Sequence, residues 1–166
     1  MASNMFIAFK TPDITGESLD SSNIGAIQVL SWSHSFNQPT SPTRSSAGSG
    51  TVEQANHSDF SFTKYIDAAT DDLLKMCWSG KQIGTATFTA YRSDGDNKAI
   101  KYLEVVMTGV VVSNFSIGGG TGDIPAETIT LSYNSVQYTY IQQKTADGTA
   151  GGNQPVKHDL GAQTVS

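Results

Sequence analysis

Two stretches of this chain alternate apolar and polar residues with a period of two, and each changes parity partway along. From Ile24 to Gln38, Ile27 and Val29 fall on one face. Leu30, Trp32 and Phe36 then take the other, with His34 among them and Ser31, Ser33 and Ser35 opposite. From Ile124 to Gln143, Ile129, Leu131 and Tyr133 share a face. Past Asn134-Ser135 the set Val136, Tyr138 and Tyr140 takes the opposite parity. Side chains alternate strictly across a strand, so a parity change requires a β-bulge or a strand that passes from one sheet into another.

The rest of the chain agrees with a strand-built fold. Met5–Lys10 (MFIAFK) is a short apolar run that reads as a strand, and strand resumes over Thr51–Ile66. In Thr85–Arg92, Ala86, Phe88 and Ala90 oppose Thr85, Thr87 and Thr89, before an Asp94-Gly95 hairpin signal. Ile100–Ile117 is a long apolar-rich run in which Gly109 marks a bend. The 20 Ser, 18 Thr and 16 Gly suit strands and turns. One helix is expected, over 70–79. Thr70 is its N-cap, Asp71 and Asp72 lie in the first turn, and Gly80 takes C′. Its apolar stripe combines Leu73 with Cys77 and Leu74 with Trp78, which makes Cys77 a packing residue. Pro39–Gly50 is the most loop-like stretch, and the polar, Gly-rich chain from Thr145 on is expected to fray. The expectation is one domain over 1–166, mainly β. It is a small β-barrel of two packed antiparallel sheets with one short α-helix outside, an extended loop at about 39–56 and a flexible tail at about 158–166.

Charge and chemistry narrow the function. A net charge of −5 argues against nucleic acid and against an anionic membrane surface. No window is apolar enough for a membrane span, so no membrane insertion is expected. The N-terminus lacks a basic, apolar leader, which fits a protein that starts in the cytoplasm. A single cysteine rules out an intrachain disulfide and a Cys-rich zinc site. The histidines, His34, His57 and His158, are far apart and form no metal-binding spacing; His34, on the Trp32 face, reads as a satisfied core or interface histidine. There is no GxSxG elbow, and Gly118–Gly122 lacks the Gly-Lys-Ser/Thr ending of a phosphate loop. Asp67 reads as a helix cap. No enzyme, cofactor or metal is expected. The row Ser31, Ser33, Ser35 suits either solvent or a broad, weakly selective polar surface such as a pore wall.

At Asp59–Gln82 (DFSFTKYIDAATDDLLKMCWSGKQ) the chain resembles the haemolysin-coregulated protein (Hcp) family of bacterial type VI secretion systems. The shared pattern is F-T-K, then x-x-D, a Ser/Thr-led short helix with Leu, and a Gly. Met5–Lys10 with Gly16-Glu17-Ser18, Ile27–Phe36 (IQVLSWSHSF) and Glu127–Gly148 (ETITLSYNSVQYTYIQQKTADG) agree in the same order. The resemblance implies a tail-tube subunit, with six copies in a ring and rings stacked into a hollow tube. It implies partners in the sheath and spike, small effectors carried in the lumen, and export from the bacterial cytoplasm without a signal peptide. It places Ser31, Ser33 and Ser35 at the lumen, and the loop residues Thr40, Ser41, Pro42, Thr43, Arg44 and Ser45 at ring stacking. The alternatives are a monomeric β-barrel that binds glycan or peptide, and a small secreted hydrolase.

Overall fold

The computed structural model describes residues 4–39, 55–93, 99–143 and 150–166. The Asp94-Gly95 turn and the loop residues Thr40, Ser41, Pro42, Thr43, Arg44 and Ser45 lie outside the described residues. Strand β1 (Met5–Lys10) pairs on one side with β2 (Ile27–Gln28) and on the other with β7 (Ile83–Ser93). The path continues through β8 (Ala99–Gly118), β10 (Ser135–Gln143), β11 (Ala150–Asp159) and β12 (Thr164–Val165). A second layer holds β3 (Ser31–Ser33), β6 (Phe60–Tyr65) and β9 (Ala126–Ser132). A separate short ladder joins β4 (Phe36–Asn37) to β5 (Asn56–His57). All these pairings are antiparallel.

The layers share β8. Its first half pairs with β7 and β10, and from Val111 it pairs with β9. The transfer occurs at Gly109, as its position in the apolar run predicts. Its φ is +66°, and a Cβ there would stand 2.5 Å from Asn134 Nδ2, so both backbone and space call for glycine. The two layers do not close into the expected barrel. The strand path ends at β12 and β2, and no ladder among the described residues joins those ends.

Both parity changes are sheet changes. The Val29 N–H bonds Met5 O of β1, and the next residue, Leu30, bonds Thr63 O of β6. The single strand expected over Ile24–Gln38 is therefore three pieces, β2, β3 and β4, because its partners lie in different sheets. The second change carries the chain from β9 to β10, where Asn134 N–H bonds Thr108 O. Between the layers, Ile7, Phe9, Ile27, Phe60, Phe62, Phe88, Met107, Ile129 and Leu131 are buried, each contributing about 1.5–3 kcal/mol. Trp32 stacks on Phe60 at 5.7 Å.

Helix α1 (Thr70–Ser79) has the expected bounds but different caps and a different face. Ala69 occupies the N-cap position, and Thr70 lies inside the helix and makes no cap bond. Asp67 Oδ1 accepts the Ala69 N–H instead, at 3.0 Å. Gly80 caps the C-terminus in the left-handed region, with its N–H on Met76 O. Thr70, Leu73 and Met76 are the buried residues, while Trp78 is 80% exposed. Cys77 packs partly against the core. The expected stripe fails at Trp78 because the helix presents its i, i+3 row to the sheet.

The C-terminal stretch expected to fray forms β11 and β12. The outer edge of β10 supplies the ladder for β11, with Tyr138 opposite Val156 and Val136 opposite His158. Leu160 N–H closes on Asn134 O.

Beneath the helix lies a buried polar network. Lys64 and Glu127 are cross-strand partners on β6 and β9, and neither side chain is exposed. Lys64 Nζ stands 2.6 Å from Glu127 Oε2 and 2.8 Å from Asp67 Oδ1. The Thr70 hydroxyl donates to Glu127 Oε1 at 2.8 Å, and its oxygen accepts from Lys64 Nζ and from the Asp67 N–H, so it is not turned to the helix N–H groups. Lys64, Asp67, Thr70 and Glu127 all belong to the stretches that carry the family resemblance.

Candidate functional site

The three histidines come together where the β4–β5 ladder meets β10 and β11. His34 lies between β3 and β4, His57 ends β5, and His158 lies on β11. Tyr133, in the crossing from β9 to β10, links them. Its hydroxyl is 2.7 Å from His34 Nε2 and 2.7 Å from His57 Nδ1. His57 Nε2 is in turn 2.7 Å from His158 Nδ1. His34 Nε2 also lies 3.1 Å from the Ser58 carbonyl. A carbonyl only accepts, so that nitrogen carries the proton. His34 Nδ1 is then the acceptor for the Tyr138 hydroxyl, at 2.5 Å. Phe36 and Phe60 pack against the His34 ring, at 4.4 and 5.5 Å between centroids.

Burial sets the protonation states. It pulls the His34 imidazole down to about 4, assisted by nearby His57 and partly offset by the Ser58 carbonyl and Asp59. It also lowers His57, with His158 adding to the effect. Burial pushes the Tyr138 phenol up to about 12 and raises Tyr133, with Tyr138 and Asp59 adding to that shift. At neutral pH, His34 and His57 are uncharged and both phenols keep their protons.

The cluster forms one wall of a cavity of about 410 Å³, lined by Phe36, His57, Val136, Tyr138, Val156, Lys157 and His158. Its surface is mostly apolar, and the polar groups present are imidazole, phenol and ammonium. Among the described residues, no serine, cysteine or carboxylate lines it. Among the described residues no group of three or more His, Cys, Asp or Glu is placed to hold a metal ion.

The expected reading of His34 holds: it is satisfied on both ring nitrogens. The meeting of His57 and His158 is not legible in the sequence, because they are 101 residues apart and lie on separate ladders that meet only by tertiary packing. Ser31, Ser33 and Ser35 are exposed. The Ser35 hydroxyl donates to Ser58 Oγ at 2.8 Å, beside the cluster.

The sequence profile of the family described as "Type VI secretion system effector, Hcp" matches residues 6–140. The chain is 40% identical over 159 residues to protein hcp1 of Pseudomonas aeruginosa, covering 95% of this chain and 94% of that one. Its fold is similar to that of Hcp1 from Salmonella typhimurium, at a TM-score of 0.79 and 28% identity over the whole of both chains. It is also similar to a type VI secretion system effector from Yersinia pestis, at a TM-score of 0.71 and 29% identity, covering 93% of this chain and 98% of that one. Sequence and fold agree across nearly the full length, and the chain belongs to the Hcp family of type VI secretion proteins.

Proposed function

We propose that this chain is a structural, non-enzymatic subunit of the type VI secretion inner tube. Six copies form a ring, rings stack into a hollow tube, and the lumen carries small effector proteins. It assembles in the bacterial cytoplasm within the sheath and behind the spike, and leaves the cell through the system without a signal peptide. The observation that carries this reading is the 40% identity to an Hcp protein over 95% of the chain. Two features support it. Among the described residues the strand path ends at β12 and at β2, and β3 forms a further edge; a head-to-tail ring needs two different surfaces on each subunit. Among the described residues, the cavity described above is lined by no catalytic constellation. In this proposal Ser31, Ser33 and Ser35 face the lumen, where small uncharged hydroxyls give a weakly selective wall. The loop containing Thr40, Ser41, Pro42, Thr43, Arg44 and Ser45 contacts the next ring.

Light scattering followed by negative-stain imaging tests this. The expected species has about six times the 17.6 kDa chain mass and appears as rings with an open centre. A chain lacking the loop keeps single rings and loses stacks. A clean monomer at high concentration overturns the tube reading in favour of a glycan- or peptide-binding module.

A further inference from the structure

We infer that His57 and His158 form a two-histidine site for a late first-row divalent metal ion, opening onto the cavity beside Tyr138. His57 Nε2 and His158 Nδ1 face each other at 2.7 Å. Only one proton fits between them, and it holds one lone pair against one N–H. A metal ion that replaces that proton meets two imidazole lone pairs from two separate strands. Metal–imidazole bonds of about 2.0–2.1 Å at a tetrahedral angle set the nitrogens about 3.3 Å apart. Both rings are only partly buried, so a small ring rotation supplies the difference.

The surroundings complete a metal-binding arrangement. A ligating histidine normally donates its other ring N–H to an oxygen that fixes its tautomer. His57 Nδ1 has such a partner in the Tyr133 hydroxyl, which is itself held by His34 Nε2. Without metal, the Tyr133 oxygen accepts from His34 Nε2–H and its O–H donates to His57 Nδ1, so His57 Nε2 carries the proton that faces His158; a metal ion on Nε2 shifts that proton to Nδ1, which then donates to the Tyr133 oxygen. Two nitrogen ligands favour Zn²⁺, Cu²⁺ or Ni²⁺ over Mg²⁺ or Ca²⁺, which take oxygen donors.

Among the described residues no third protein ligand joins the pair. Asp159 follows His158, but its Oδ1 accepts the Ala162 N–H. Lys157 lines the cavity and opposes a cation. The remaining coordination positions face the cavity, open to water or to a donor atom of a molecule seated there. The site belongs to a single chain and does not depend on ring assembly.

Calorimetric titration of the untagged protein with Zn²⁺ tests the inference, with Cu²⁺ electron paramagnetic resonance reporting the donor atoms. The expected result is one ion bound per chain, two nitrogen couplings for Cu²⁺, and no heat with Mg²⁺. His158→Gln is expected to weaken binding by at least about tenfold and leave one nitrogen. Tyr133→Phe, which keeps both ligands and removes the brace, is expected to weaken it by about tenfold. Absence of Zn²⁺ binding overturns the inference. So does binding that survives both His57→Gln and His158→Gln unchanged, or a Cu²⁺ spectrum of the native protein with oxygen donors alone. The spectrum needs no variant, so a misfolded mutant cannot decide the question.

Discussion

Strand β9 begins in one polar cluster, through Glu127, and leads at its far end to another, through Tyr133; the clusters are built on opposite principles. At the first end, Lys64 and Glu127 are shut away from water and paired across the ladder, with Asp67 and Thr70 completing the network. At the second, Tyr133 joins His34, His57 and His158 in a chain of hydrogen bonds beside an open cavity. Between them, Ile129 and Leu131 point into the core. Charge is tolerated in the closed cluster because each ion has a partner. In the open cluster burial instead holds His34 and His57 below their ordinary range. The first arrangement fixes the helix against the sheet. The second leaves reactive groups within reach of a ligand.

The largest expected effect comes from the closed cluster. Lys64→Ala leaves the Glu127 and Asp67 carboxylates without their cation, a loss of about 3–5 kcal/mol. Guanidinium denaturation measures it. Lys64→Met combined with Glu127→Leu, which removes both charges and keeps the volume, is expected to recover most of the loss. A cost for Lys64→Ala below about 1 kcal/mol would show that the carboxylates find solvent, and the contrast between the clusters would collapse.

A smaller effect separates the clusters by pH. His34 is held at about 4 against an ordinary 6.5. Between those values the unfolded chain binds more protons than the folded one. The stabilising contribution of a neutral His34 is therefore complete above 6.5 and is lost as pH falls toward 4. The shift sets a ceiling of about 3 kcal/mol, which solvent screening of a partly exposed ring reduces to about 1–2 kcal/mol. His57 acts in the same direction. Denaturation midpoints of the native protein and His34→Gln, compared at neutral pH and at about pH 4.5, isolate the term, because carboxylates titrating in this range are common to both. The gap between the two proteins is expected to shrink on acidification. A constant gap would mean that the ring is not held neutral by its surroundings.

How much of each cluster was legible in the sequence follows from the range of the forces that build it. The parity changes at Val29–Leu30 and Asn134–Ser135 are local patterns, and both proved to be transfers between sheets. The helix bounds and the roles of Gly80 and Gly109 are also local, and they were readable. Lys64, Asp67, Thr70 and Glu127 stood out as a family pattern, but their convergence depends on the pairing of β6 with β9. Local pattern makes Thr70 the cap, but Ala69 takes that position and Thr70 turns into the network, donating to Glu127, 57 residues away. Barrel closure and the fate of the C-terminal stretch likewise turn on which edge finds a partner, and the pattern within a strand does not encode that. The histidine cluster combines three such distant pairings, so His57 and His158 carried no signal of each other.

The smallest expected effect asks whether the two clusters speak through the strand they share. Tyr133→Phe removes one hydroxyl and with it the link between His34 and His57. Both histidines are only partly buried, so water replaces part of what is lost and the cost is about 0.5–1.5 kcal/mol. Glu127 and Tyr133 are six strand positions apart, roughly 20 Å at the usual rise, with Ile129 and Leu131 packed between. Well-packed apolar side chains transmit little of a lost hydrogen bond, and sites at this separation normally add within about 0.5 kcal/mol. Lys64→Ala with Tyr133→Phe is therefore expected to cost the sum of the two single changes, read from denaturation of all four proteins in one buffer. A coupling above about 1 kcal/mol would mean that β9 shifts as a rigid unit between the helix network and the histidine cavity. The buried ion pair would then position the open cluster as well as the helix.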